Sequence, residues 1–459
     1  MYNRFIGLII IVFCLINPQS ARAAQTAWKA GLGKEKITPE KPIWMTGYAT
    51  RTHPADGTAE DLWVKALALC DPEGNKSVVL TLDLCGITRE ISDTVALEIT
   101  RRYNIPRSAV MVNVSHTHCS PWIEGNLIGL RLFPESGYQL AHEYSKWLKT
   151  KMIIAADHAL QTLSPSTLSW SEDVANFAMN RRENPEKFSA LRKAAGTMRG
   201  PIDYRVPVLI IRDQTTQIIK GLLVSYACHN TTLSYYKWNG DYAGYAQLEL
   251  EKRHPGSTVL FAIGCGGDVN PNPRGTEAFA IQHGKALANA ADRAITKLNH
   301  LISGNFSSSF EDIKLHFLKK PTEEKIASEL TKNQPAKEMH QAWATVIEKQ
   351  LKNKGDDILT YDYPIQTWKI GNLMWAGLGG EAVCEYGLKL RANYPGNLWV
   401  FSYCNDVMAY IPNERILKEG QYEGETSMIP YGRPSPWEAG LEDKIITKTH
   451  ILLVRTASK

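Results

Sequence analysis

Two histidines one residue apart, His116 and His118 in Asn113-Val-Ser-His-Thr-His-Cys-Ser-Pro121, are the residues of this chain best placed to do chemistry. Imidazole is the commonest metal ligand and a general acid or base near neutral pH. Residues i and i+2 share one face of a strand, so a pair at a strand end would aim both rings the same way. The apolar run Ala109–Val114 before them has the composition of a buried strand. By itself the pair fits a metal site, a catalytic site, or two ordinary hydrogen-bonded histidines. A third histidine, His229, follows another apolar run in Ser225-Tyr-Ala-Cys-His229-Asn-Thr-Thr, and the loop Asn239-Gly-Asp-Tyr-Ala-Gly-Tyr245 comes after it. Gly264-Cys-Gly-Gly-Asp268-Val-Asn270-Pro-Asn272 is a glycine-rich turn crowded with short polar side chains, which suits close approach of backbone and substrate but also a simple tight turn capped by Asp268. Gly379-Gly-Glu381 and the tyrosines Tyr410 and Tyr422 complete the candidates.

The elements that would position these residues are strands interspersed with helices. Strand-like runs are Ser77–Leu82, Val206–Ile211, Gly221–Tyr226, Thr258–Ile263 and Leu373–Leu378, and helical periodicity covers Ile91–Tyr103, Tyr138–Gln161 and Gly275–Leu298. This alternation predicts an α/β or mixed α+β architecture. The stretch Thr322–Asn353 is more polar and helical, broken near Pro335, and suits an excursion packed on the sheet core.

The 459 residues can bury a large core as one large domain or two ordinary ones, and no repeat, low-complexity tract or long linker divides them. Arg4, the apolar run Phe5–Ile16 and the small-x-small site Ala21-Arg-Ala23 form an export signal, so residues 1–23 are expected to be removed and 24–459 to form a single catalytic domain, periplasmic or secreted. The apolar run is short for a membrane span and no later segment is long enough. A formal charge of +5, partly contributed by Arg4 and Arg22, does not indicate a nucleic-acid partner. Of eight cysteines, the seven left after Cys14 show neither a disulfide framework nor a Cys-x-x-Cys metal site; Cys119, Cys228 and Cys265 suit small buried residues.

Taken in order, His-Thr-His, the strand-end histidine with its Gly-Asp-x-x-Gly-Tyr loop, Gly-Asp-Val-x-Pro-Asn, Gly-Glu and the paired tyrosines resemble the N-terminal catalytic domain of the neutral/alkaline non-lysosomal ceramidases. The resemblance begins at Gly31-Leu-Gly-Lys-Glu-Lys-Ile-Thr38 and Gly47-Tyr-Ala49 and covers most of the chain. It implies mixed β-sheets flanked by helices and a zinc ion held by His116, His229, Glu381 and Tyr410, a nitrogen and oxygen set that zinc tolerates and that favours catalysis over structure. It further implies that His118 hydrogen-bonds the reacting group, that Tyr422 holds the substrate carbonyl, and that Arg181 in Met179-Asn-Arg-Arg182 is the active-site arginine, with Arg182 its near neighbour. Asp268 would be catalytic by orienting a histidine. His142, His158 and His283 suit surface or core roles.

Three departures bear on function. The family carries a serine in Gly-Asp-Val-Ser-Pro-Asn where this chain has Asn270, and an amide cannot supply an activated alkoxide; metal-activated water becomes the expected nucleophile, with Asn270 orienting it. Trp122 replaces small residues after the histidines and is expected to reshape the entrance, with Trp238 and Trp437 as further aromatic walls. No additional C-terminal sandwich domain is expected, which argues against ceramide itself. The resulting expectation is an exported zinc hydrolase cleaving an N-acyl amide of a small-molecule or lipid substrate. The alternatives are a carbohydrate-active zinc enzyme (glycan deacylase, esterase or uronate lyase) and an inactive zinc-containing binding protein.

Overall fold

The computed structural model describes residues 28–331 and 337–459; the expected export signal and the expected break near Pro335 lie outside them. A nine-stranded mixed sheet is built from β1 (Lys29–Lys36), β2 (Trp63–Cys70), β3 (Lys76–Leu82), β4 (Val110–Val114), β5 (Ser164–Val174), β6 (Arg205–Asp213), β7 (Ile219–Tyr226) and β8 (Thr258–Ile263) in the order β8-β7-β6-β5-β1-β2-β3-β4, with the short His300–Leu301 added to β5. The pairs β7–β8 and β3–β4 are parallel and the other ladders of this path antiparallel. The two end strands meet, because the Asn113 side chain of β4 accepts from the Ile263 amide of β8 at 2.9 Å. β4 is buried at every position, as its unbroken apolar character requires.

A second sheet, β9 (Phe306–His316), β10 (Thr360–Ile370), β11 (Leu373–Leu378) and β12 (Leu398–Phe401), pairs in chain order, antiparallel except for the parallel β11–β12 ladder. Its register stacks Trp368 on Trp375 and Trp375 on Trp399, with centroids 5.7 and 5.9 Å apart. The two sheets touch where the site forms, through bridges Asn113–Cys404 and Gly264–Phe401.

The helices include α1 (Arg89–Tyr103), α2 (Glu135–Gln161), α3 (Asp241–Arg253), α4 (Glu277–Thr296), α5 (Glu323–Thr331), α6 (Lys337–Lys354), α7 (Cys384–Ala392) and α8 (Leu441–Ala457), together with Glu186–Ala194, which has Glu186 at its start. α2 lies directly on β1: a Cβ at Gly31 or Gly33 would sit 2.0 or 2.1 Å from a carbonyl oxygen of α2, so only glycine permits this approach. α5 and α6 pair around their own small cluster, with Ile326 against Trp343 and Ile347. All seven cysteines of the described residues are buried and free, and no helix among them is long and apolar enough to cross a membrane.

Candidate metal centre and substrate cavity

His116 and His118 converge, but through a turn rather than through strand pleating. β4 ends at Val114; the Ser115 and His116 amides then bond the carbonyls of Leu82 and Leu84, and His116 takes a positive φ of 61°. That left-handed conformation, unfavourable for a residue with a Cβ, turns the ring so that His118 Nε2 lies 3.1 Å from His116 Nε2. His229 is set by the hydrogen bond its backbone N–H donates to the Val269 carbonyl, and Glu381 by a two-residue parallel ladder that pairs it with Tyr410.

Three of these side chains share one centre. Glu381 Oε2 is 3.1 Å from both His116 Nε2 and His229 Nε2, and the Tyr410 hydroxyl is 3.0 Å from His229 Nε2. A carbonyl can only accept, so the contacts of His116 Nδ1 with the Cys85 carbonyl (2.5 Å) and of His229 Nδ1 with the Gly266 carbonyl (2.6 Å) place a proton on each Nδ1. Each Nε2 is thereby available as a ligand. Cys85, His116 and His118 form a second possible ligand group. The thiol, however, lies 3.8 Å from His116 Nδ1, the nitrogen already committed to a carbonyl.

Charge balance also fits a cation. Glu381 is only 2% exposed, and among the described residues its ion pairs are with the two imidazoles alone. Burial opposes its charge, but His116 and His229 outweigh burial and hold the carboxyl well below its ordinary range. Conversely, burial opposes an imidazolium at His116, yet Glu381 and Cys85 lift that group to about 10, while burial and Arg181 push His229 down to about 4. The carboxylate thus recruits a proton to the position a metal cation would take. The residues present fit zinc, whose ligands are imidazole nitrogen and carboxylate oxygen.

Around this centre lie tyrosines and an arginine. The Tyr431 hydroxyl donates to Glu381 Oε1 and that of Tyr403 to Oε2 at 3.3 Å. Arg181 donates to the Tyr410 hydroxyl (3.1 Å), Asn270 Oδ1 (3.1 Å), the Gly267 carbonyl (2.8 Å) and Glu423 (2.8 Å), tying the centre to the Asn270 loop. Arg182 turns instead to Glu423 and Glu419. Tyr422 meets Tyr410 edge to face at 5.3 Å and is 46% exposed, at the mouth of the site. Burial and the adjacent His116 and His229 hold the His118 imidazolium well below its ordinary range, and its Nδ1 is buried without a partner.

Several expectations are corrected. Asp268 does not orient a histidine: it accepts from Asn180 Nδ2 and from the Cys384 amide at the start of α7, both at 2.8 Å, and so braces the loop that carries Asn270. Trp122 does not shape the entrance; it is 3% exposed, packed on Phe133 and bonded to the Asn126 carbonyl. Trp238 and Trp437 are likewise buried, the latter stacked on Phe317. In keeping with the surface and core roles expected of them, His142 and His158 lie near surface carboxylates and buried His283 stacks on Phe177. Sequence reasoning missed Tyr403, Tyr431 and Glu423, which no local spacing connects to the histidines. It also missed Arg51, which donates to the His118 carbonyl at 2.8 Å.

The centre opens into two cavities. One, of about 540 Å³, is bounded by Arg181, Arg182, Arg274, Thr231 and Asn270; the other, of about 340 Å³, by Leu127, Leu130, Met339, Ile429 and Pro430. Gly47, His118, Tyr410 and Tyr422 line both.

An α/β fold of this topology, with a buried His–His–Glu cluster beside two tyrosines, defines the class. Residues 28–290, more than half of the chain, match the profile of the neutral/alkaline non-lysosomal ceramidase N-terminal domain, and the chain belongs to that family. It is similar to neutral ceramidase A of Dictyostelium discoideum (23% identity over 273 residues, 54% of this chain and 37% of the relative) and to neutral ceramidase B of the same organism (23% over 284 residues, 57% and 38%). These matches therefore span little more than a third of the curated relatives' length. Among solved structures, the fold is similar to neutral ceramidase from Pseudomonas aeruginosa (TM-score 0.69, 17% identity, 94% of this chain and 75% of that one) and to a ceramidase complexed with C2 (TM-score 0.69, 16% identity, 94% and 76%).

Proposed function

We propose that this protein is an exported zinc-dependent hydrolase that cleaves an N-acyl amide other than ceramide, with water as the nucleophile. The observation that carries the reading is the convergence of His116 Nε2, His229 Nε2, Glu381 and the Tyr410 hydroxyl on one buried point at the junction of two cavities. These four would hold zinc, which when bound polarises a carbonyl and activates water. Family membership supports the hydrolytic assignment. The export signal in residues 1–23 supports a periplasmic or secreted location.

The chain's own groups have separable tasks. His118, kept neutral and bordering both cavities, accepts a proton from the attacking water and delivers one to the leaving nitrogen. Tyr422, at the mouth, supplies a hydroxyl to the substrate carbonyl. Arg181 steadies the Tyr410 oxygen and takes the Asn270 carbonyl oxygen, leaving the Asn270 amide hydrogens for water or substrate. Asp268 acts by bracing the loop. The carbohydrate reading loses its stacking tryptophans, because Trp122, Trp238 and Trp437 are buried and line neither cavity, and keeps only the proton exchange that His118 and the tyrosines could serve in an elimination.

The test combines metal analysis with release of free fatty acid from a panel of N-acyl amines, set beside acylated and acidic glycans. His116→Ala and Glu381→Gln should lose bound zinc and turnover together. Full turnover in either folded variant rejects the reading, and an unsaturated sugar product would establish a lyase instead.

A further inference from the structure

The two cavities differ in chemistry, and the difference says what lies on each side of the bond to be cut. The smaller is walled by Leu127, Leu130, Met339, Ile429 and Pro430 and suits an acyl chain. The larger carries three guanidinium groups, Arg181, Arg182 and Arg274, against the two carboxylates Glu186 and Glu423. Its lining thus holds one more cation than anion, and an apolar amine fragment would desolvate these charges without compensating that excess, an unfavourable arrangement.

The donors still available point to Arg274. Arg181 is occupied by Tyr410, Asn270, Gly267 and Glu423, and Arg182 is held through Nη1 and Nη2 by Glu423 and Glu419; its Nε has no partner among the described residues, but the side chain is only 4% exposed against 28% for Arg274. Arg274 is held through Nε and Nη2 by Glu186 at 2.8 and 2.9 Å, but its Nη1 reaches only the Thr231 carbonyl at 3.4 Å. The Glu186 side chain is 55% exposed, so solvent screens this bidentate pair, and a second carboxylate can approach the guanidinium at Nη1. Beside it, the Thr231 hydroxyl is buried with no hydrogen-bond partner.

We infer that the amine half of the substrate carries a carboxylate, making the substrate class the N-acyl amino acids, with the acyl chain in the apolar cavity and the carboxylate at Arg274 and Thr231. This rests on the amide-hydrolase reading above. In the reaction the C–N bond breaks, a C–O bond forms to the oxygen of water, and the leaving nitrogen takes a proton, giving a fatty acid and a free amino acid.

The test compares N-lauroylglycine with N-lauroylethanolamine, which share the acyl chain and differ in carboxylate against hydroxyl, by kcat/KM for lauric acid release from the zinc-loaded full chain. The glycine conjugate should be preferred by at least about tenfold, the scale of one charge-assisted hydrogen bond. Arg274→Gln should lower that ratio, and Glu186→Gln, which removes the competing carboxylate, should raise it. Hydrolysis of both compounds with a ratio near one that neither variant moves overturns the inference while leaving the amide-hydrolase reading intact. Preference for the ethanolamide does the same. Hydrolysis of neither compound overturns both.

Discussion

Asn270 stands where the family carries a serine, and its surroundings define what an amide can do there. Its oxygen accepts from Arg181 at 3.1 Å, which orients the side chain so that its hydrogens remain for a ligand in the larger cavity. A positioned neutral donor that strengthens its hydrogen bond in the transition state contributes on the order of 10²-fold to 10³-fold in rate. Asn270→Ala should therefore lower kcat by about that factor with zinc content unchanged, because its side-chain hydrogen bond runs to Arg181 and not to one of the four proposed ligands. An unchanged kcat would reduce Asn270 to a turn residue. A covalent adduct trapped on it would contradict attack by water.

At the scale of the element, the segment Gly47-Tyr48 forms a wall against which His118 is set. Gly47 has a φ of +88°, and a Cβ there would lie 2.3 Å from His118 Cγ; Tyr48 meets the same ring edge on at 4.7 Å. Arg51 completes the clamp by donating to the Tyr235 and His118 carbonyls. Gly47→Ala should displace the His118 ring while leaving His116, His229 and Glu381 in place. Misplacement of a reacting group by about 1 Å costs on the order of 10²-fold. The expected result is such a loss of turnover with a normal zinc-to-protein ratio; loss of zinc in a folded Gly47→Ala variant would show that His118 belongs to the metal centre itself.

Across the whole molecule, the candidate ligands come from segments that only folding unites: His116 beyond β4, His229 beyond β7, and Glu381 beyond β11 with its ladder partner Tyr410. A cation bound there would join the nine-stranded sheet to the four-stranded one, as the Asn113–Cys404 and Gly264–Phe401 bridges already do. Binding that is specific to the folded state stabilises by RT ln(1 + [L]/Kd), about 4 kcal/mol at a thousandfold excess over Kd. Chelation should accordingly lower Tm by several degrees and added zinc should restore it. Glu381→Gln should show neither shift, and a Tm indifferent to chelator in the wild-type chain would remove the metal from the account.

Much of this architecture was legible locally. β3, β4, β7, β8 and β11, and helices α1, α2 and α4, follow from apolar periodicity that burial on one or both faces requires. The family resemblance likewise rested on short motifs whose order along the chain survives divergence, His-Thr-His through Gly-Glu. Tertiary structure decided what periodicity cannot encode: that a positive φ at His116, not strand alternation, makes the two histidines converge; that Tyr403 and Tyr431, distant in sequence from the histidines, reach Glu381; and that Asp268 faces α7. The tryptophans show the same division, since an indole in a loop carries no local sign of whether it will meet solvent or other rings. Composition and spacing determine which segments must be buried, because the hydrophobic effect acts on each residue's own surface. Which polar atoms then share a point depends on how the two sheets cross, and that is a property of the folded chain alone.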